Sequence, residues 1–236
     1  MLNKMKSRYV QKTLIVLFLF TSAISAQQFK VTELRGDVKY LSGTSEVWAE
    51  INVGEDMQMD GFISTGKNSS VQIKESGNIF NIGELSVVSI SSIKKMSTDE
   101  LLLALAMEDM INAPKTNGKG NSSSTATYGN KEGAGKTSNI IANDFGILRL
   151  NGAMQLAENG LLESSVVFAK ETYRKYPETI NIASYRIFFA DVLYEKGLYE
   201  EALGEYLEIQ TFELDKEQIT KVESQIDNIN KILLNN

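Results

Sequence analysis

Residues 115–139, KTNGKGNSSSTATYGNKEGAGKTSN, constrain the fold more than any other stretch of this chain. Five glycines and a run of Ser, Thr and Asn leave almost no large apolar side chain, so the segment cannot bury a core. It reads as a flexible linker, 114–142 with its flanks, that divides the 236 residues into two parts. Apolar side chains alternate before it, as strands require, and recur three and four apart after it, as helices require. A multidomain β + α chain is the expected fold class, with a small antiparallel β-sandwich or barrel first and an all-α domain second.

The linker contains Gly135-Lys136-Thr137, which looks like the end of a phosphate-binding P-loop. That loop needs Gly, four residues, then Gly-Lys-[Ser/Thr], because this length wraps backbone N–H groups around the phosphates. Here Asn130 stands where the first glycine belongs, Gly129 is one place too far, and SSSTATY precedes the loop instead of an apolar strand. Nucleotide is therefore not expected as a partner.

The first 26 residues carry a basic head (Lys4, Lys6, Arg8, Lys12), an apolar core from Leu14 to Phe20 and small residues up to Ala26. This is the layout of a secretory signal peptide, and the apolar run is short for a membrane span. Cleavage would leave a periplasmic protein that is not integral to the membrane, and the alternative is an uncleaved anchor facing the periplasm. Removing four of the 24 basic residues leaves 20 against 30 acidic ones, a charge near −10, so nucleic acid is not an expected partner. Neither cysteine nor histidine occurs. That removes disulfides, a thiol nucleophile, the commonest general base and the usual zinc ligands. No cofactor, metal or catalytic residue is expected. A carboxylate pair such as Glu55 and Asp60 is the remaining enzymatic option, but both fall near predicted turns.

Residues 29–93 read as short strands punctuated by Gly36, Gly54, Gly61, Gly66, Gly77 and Gly83. Trp48, the only tryptophan, is assigned to core or half-buried packing. Gly36, Val38, Trp48, Gly54, Asp60, Thr65-Gly66, Ser69, Gly77 and Ser86 together resemble the FecR-type domain, the periplasmic module of iron-dicitrate-type signal transducers. Ser76-Gly77 departs from the usual Asp-Gly before the last strands. The resemblance spans about residues 30–93, within a β domain set at 27–96, and implies a compact all-β unit without catalytic residues.

Residues 97–113 form a separate helix, with Ser97 and Thr98 as cap candidates and Asp99 and Glu100 in its first turn. LLLALAMEDMI is apolar on most sides, which predicts a buried or partner-packed helix. With Glu108 and Asp109 and no basic residue, it is not suited to anionic lipid.

Within 143–236, two segments repeat at a shift of 37 residues. Ala153, Leu156, Gly160 and Ser165 align with Ala190, Leu193, Gly197 and Ala202. Each segment reads as helix, glycine turn, helix, and the pattern resembles the tetratricopeptide repeat, though its period exceeds the usual ~34 residues. Gly152 and Gly204 weaken their helices. A last helix near 216–234 carries Ile219, Val222, Ile226, Ile229 and Leu233 on one stripe, as a cap or as a self-association surface. The resemblance implies a protein-binding concave face, lined by Met154, Ala157 and Glu158 in the first repeat and Asp191, Tyr194 and Glu195 in the second. The expectation is an exported, non-enzymatic scaffold of the bacterial cell envelope that contacts envelope proteins or peptidoglycan. The alternative is a FecR-like sensor lacking a cytoplasmic anti-sigma domain. Whether the two parts touch is left open.

Overall fold

The structure, a computed structural model, describes residues 28–112 and 142–235. The signal-like segment and the Gly/Ser-rich stretch with its Gly-Lys-Thr lie outside the described residues.

Eight short strands open the fold: β1 (Phe29–Arg35), β2 (Val38–Leu41), β3 (Ala49–Glu50), β4 (Asp56–Met57), β5 (Phe62–Thr65), β6 (Ser70–Glu75), β7 (Asn78–Ile82) and β8 (Ser86–Ser89). They pair antiparallel in two four-stranded sheets of order β4-β1-β6-β7 and β3-β2-β5-β8. Alternation does the sorting. Phe29 and Val31 of β1 and Val71 and Ile73 of β6 are buried, while Lys30 and Lys74 point to solvent. Consecutive strands β1 and β2 belong to different sheets, and Gly36 (φ 76°) makes the crossing. A side chain there would strike Ser69, whose hydroxyl accepts from the Asp37 N–H at 2.9 Å.

Register slips once, between Val31 and Glu33 opposite β6. The bulge at Thr32 turns Glu33 and Arg35 outward and keeps Leu34 against the core. In β8 the alternation disappears, because all four residues are buried. One sandwich cannot cover both faces of its own edge strand, so the second cover must come from elsewhere.

It comes from the helices: α1 (Thr98–Asn112), α2 (Ala142–Glu158), α3 (Leu162–Lys175), α4 (Ala183–Glu195), α5 (Tyr199–Ile209) and α6 (Lys216–Leu234). Ser97 caps α1: its hydroxyl accepts from the Glu100 N–H at 3.2 Å, and the Glu100 carboxylate accepts from the Ser97 N–H at 2.7 Å. α2 lies on β8, so the sandwich and the helices share one hydrophobic cluster, and the two parts touch.

The 37-residue shift seen in sequence is a structural repeat. Gly160 (φ 78°) ends α2, with the Leu161 N–H bonded to the Leu156 carbonyl and its own N–H to Ala157. Gly197 (φ 75°) ends α4 with the same pair, Leu198 to Leu193 and its own N–H to Tyr194. Each is a left-handed glycine closing a helix and turning the chain into an antiparallel partner. The aligned small residues Ala153, Ala190, Ser165 and Ala202 are all fully buried, where the two helices of each hairpin meet. α6 starts at a capping box between Asp215 and Gln218 and packs on α5 and α4 through Val222 and Ile229, both fully buried. From Val222 onward its apolar stripe therefore covers the open end of the stack, whereas Ile219 is left exposed.

Candidate functional site

The junction between sandwich and helices is closed by atoms that only certain residues could supply. Gly152 faces the Val87 carbonyl so closely that a Cβ would overlap it. Three amide side chains, Asn151 and Gln155 of α2 and Asn159 just after it, then cap the exposed strand ends. Asn151 donates to the Leu85 carbonyl at 2.7 Å, and Gln155 accepts from the Gly83 N–H at 2.8 Å. Asn159 accepts from the Asn81 N–H and donates to the Asn81 carbonyl, each at 2.8 Å, as a neighbouring strand would. Arg149, 2% exposed, lies 4.3 Å over the Phe168 ring, with Phe62 and Tyr176 beside it. It donates to the Thr172 hydroxyl and lies 3.5 Å from Glu171. Burial lowers its pKa, partly countered by Glu171. Trp48 is half-buried, edge-on to Phe145 of α2 at 6.3 Å, as its packing role predicts.

Beside this junction opens a cleft of about 510 Å³. Its floor is the outer face of β1, β6 and β7, where the bulge presents Glu33 and Arg35 next to Gln72 and Asn81. Its wall is the end of α2, with Gln155, Glu158 and Asn159. Polar side chains dominate it, and no aromatic ring lines it.

A second hollow, about 410 Å³, runs between α1 and the hairpins and continues into a smaller one of about 250 Å³. Leu105, Asp109, Lys170 and Glu208 line both. Beneath lies a charge network centred on buried Arg186 and largely buried Glu205. Glu205 takes Lys170 on one side and Arg186 at 2.8 Å on the other, and Arg186 also reaches Glu208 at 2.5 Å. Burial raises the Glu205 pKa, but Lys170 and Arg186 outweigh it and hold the carboxyl below the ordinary range. The Tyr173 hydroxyl is buried with no hydrogen-bond partner among the described residues.

Over this hollow, α1 is anchored by fully buried Leu101 and by Glu108, 2.9 Å from Arg174. Its opposite face is another matter. Leu103, Met107, Met110 and Ile111 lie on one side of the helix and are 55–78% exposed. The sequence predicts a buried or partner-packed helix. Only the inner half is buried, and the outer half is an apolar stripe with no cover among the described residues.

The six residues expected on a concave face are dispersed. Glu158 is exposed and lines the junction cleft, while Met154 and Ala157 pack against the core. Asp191 is engaged within the chain. It accepts from Tyr206 at 2.5 Å, pairs with Lys221 of α6 at 2.5 Å and takes a longer bond from Gln225. Burial first, and then Asp191, raises the Tyr206 pKa. Tyr194 packs edge-on against Tyr199 at 5.4 Å, and Glu195 points to solvent. Asp191 and Glu158 thus belong to different surroundings, because α6 covers the second repeat where the sandwich edge meets the first. The α1 stripe could be read from LLLALAMEDMI; the junction cleft could not, since it depends on how α2 docks.

Among the described residues, no helix is long and apolar enough to cross a membrane, and no group of three or more acidic side chains is arranged to hold a metal ion. The architecture is that of a two-sheet antiparallel sandwich fused to stacked helical hairpins. No family model matches the chain, and no curated protein or solved structure shows significant similarity to it.

Proposed function

We propose that the chain is an exported, non-enzymatic binding or scaffold protein of the bacterial cell envelope, built from a FecR-like β unit and a tetratricopeptide-like helical unit that contact proteins or cell wall. One observation carries this reading: the outer face of α1, where four large apolar side chains stand more than half exposed on a helix otherwise docked by its inner face. Contiguous apolar surface of this kind costs free energy in water and marks a contact surface. Support for the two family likenesses is local. Short antiparallel strands cross between sheets at Gly36, and two glycine-closed helical hairpins recur 37 residues apart with small buried residues in register. Export rests on the N-terminal sequence.

The test is crosslinking in the producing cell, followed by recovery of the chain and its partners. The intact chain is compared with one carrying Leu103→Asp and Met107→Asp. Deleting everything before or after the junction would be a poor control, because α2 covers β8 and truncation opens the sandwich core. Loss of partners from the double variant, with unfolding unchanged, is the expected result. Unchanged partners would remove α1 as the contact surface. Wall hydrolysis abolished by changing one carboxylate would overturn the non-enzymatic reading.

A further inference from the structure

We propose that the outer face of α1 docks a cationic amphipathic helix of another protein, with apolar contacts to Leu103, Met107 and Met110 and basic flanks facing the α1 carboxylates. This rests on the reading of α1 as the contact surface and names the chemistry of its partner.

Shape and side-chain type set the apolar part. Leu103, Met107 and Met110 are spaced four and three apart, so they form a single ridge, and Ile111 extends it by one position. Two of the four are methionines, whose unbranched thioethers adapt to a partner's side chains. A ridge of this pitch is matched by another helix with apolar residues three and four apart.

Charge selects among occupants. α1 carries Asp99, Glu100, Glu108 and Asp109 and no basic residue. The Glu100 carboxylate accepts from the Ser97 N–H and hydroxyl, which favours its ionised form and lowers its pKa. Glu108 is matched by Arg174, but Asp109 pairs with none of the described cations, nor does Glu201 across the hollow. A second copy docked through the same face would set these carboxylates against their own image. Anionic lipid meets the same repulsion. Residues 115–139, though adjacent, hold almost no large apolar side chain with which to cover the ridge. A cationic amphipathic helix satisfies both the ridge and the charge.

Two labelled peptides test this on the full chain: a leucine–lysine amphipathic helix and its leucine–glutamate counterpart, read by fluorescence anisotropy, with sedimentation of the chain alone alongside. The lysine peptide should bind at least about tenfold more tightly than the glutamate peptide. Leu103→Ser with Met107→Ser and Met110→Ser should weaken it about tenfold or more, since the buried apolar area is lost while the net charge is unchanged. These positions face solvent, so the unfolding transition should stay in place, and that is measured on the same sample. Asp99→Asn with Asp109→Asn should weaken binding mainly at low salt. Four results would overturn the proposal: equal binding of both peptides, lysine-peptide binding that survives the serine variant, self-association through the α1 face, or binding that appears only when residues 1–26 are removed. The last would make the chain's own basic, apolar N-terminus the occupant. If α1 substitutions strip partners in cells but the lysine peptide does not bind, the partner chemistry is wrong and the contact-surface reading stands. If neither responds, both fail.

Discussion

Gly152→Ala is the sharpest probe of the junction. An added methyl at 152 would overlap the Val87 carbonyl oxygen, and would lie 2.8 Å from its carbon and 2.9 Å from the Val88 Cγ2, where ordinary contacts begin at 3.4 Å. Two of these three neighbours are backbone, so no side chain can swing aside. The helix must back away from β8 by more than half an ångström. Overpacking of this kind costs about 1–3 kcal/mol. The move also loosens the amide caps made by Asn151, Gln155 and Asn159, at about 1 kcal/mol for each bond lost. Alanine returns about 1 kcal/mol through helix propensity. The net expectation is a loss of about 3 kcal/mol, a fall in Tm of roughly 5–10 °C. Trp48 is the only tryptophan and packs on Phe145 of α2, so urea unfolding followed by its fluorescence reports on this junction. Gly204→Ala is the matched control. It is also a helical glycine, but a Cβ there meets nothing within 4 Å, so it should gain about 0.5–1 kcal/mol. If Gly152→Ala is as stable as the parent chain, α2 does not sit on β8 and the shared core is refuted.

Four further substitutions test the buried polar groups. Arg149→Met, which keeps the packing between Phe62 and Phe168, should cost about 1 kcal/mol or less, whereas Arg149→Lys should cost about 2–3 kcal/mol because an ammonium cannot stack and stays buried. Glu205→Gln should cost about 3 kcal/mol at neutral pH by stranding Lys170 and leaving Arg186 with Glu208 alone. The Glu205 pKa is lowered in the folded chain, so its contribution is complete above the ordinary value of 4.5 and is lost as pH falls through the lower folded value. The gap between parent and variant should therefore close in acid, and a gap that widens there would refute the assignment. Tyr173→Phe removes a buried hydroxyl without a partner and should stabilise by about 1 kcal/mol in denaturant titration.

Much of the fold was legible because its signals are local. Alternation in SSVQIKES placed β6, and the turn glycines at 36, 54 and 77 all take positive φ. Gly160 and Gly197 marked the repeat because a left-handed helix end admits little else. What could not be read depends on partners distant in sequence. Gly152 and Gly204 look alike as helix-weakening residues, yet one touches a strand carbonyl and the other only solvent. Arg149 gives no hint in sequence that three rings will surround it. The place of Asp191 in the repeat points to a binding face, but α6 supplies Lys221 and Gln225 to it. The bulge at Thr32 leaves only a faint trace, a one-residue break in the alternation of FKVTELR, and it places Glu33 and Arg35 in the cleft.

The strand that completes the sandwich ends at Ser89, but the helix that seals it begins at Ala142, about fifty residues further on. A chain emerging N-terminus first therefore presents a finished-looking sandwich with one raw seam, and waits for the next stretch of polypeptide before it can close. During that interval the unpaired edges of β7 and β8 can recruit a strand from another nascent chain. Asn151, Gln155 and Asn159, by filling hydrogen bonds that such a strand would otherwise make, end the vulnerable period as well as holding the finished molecule together.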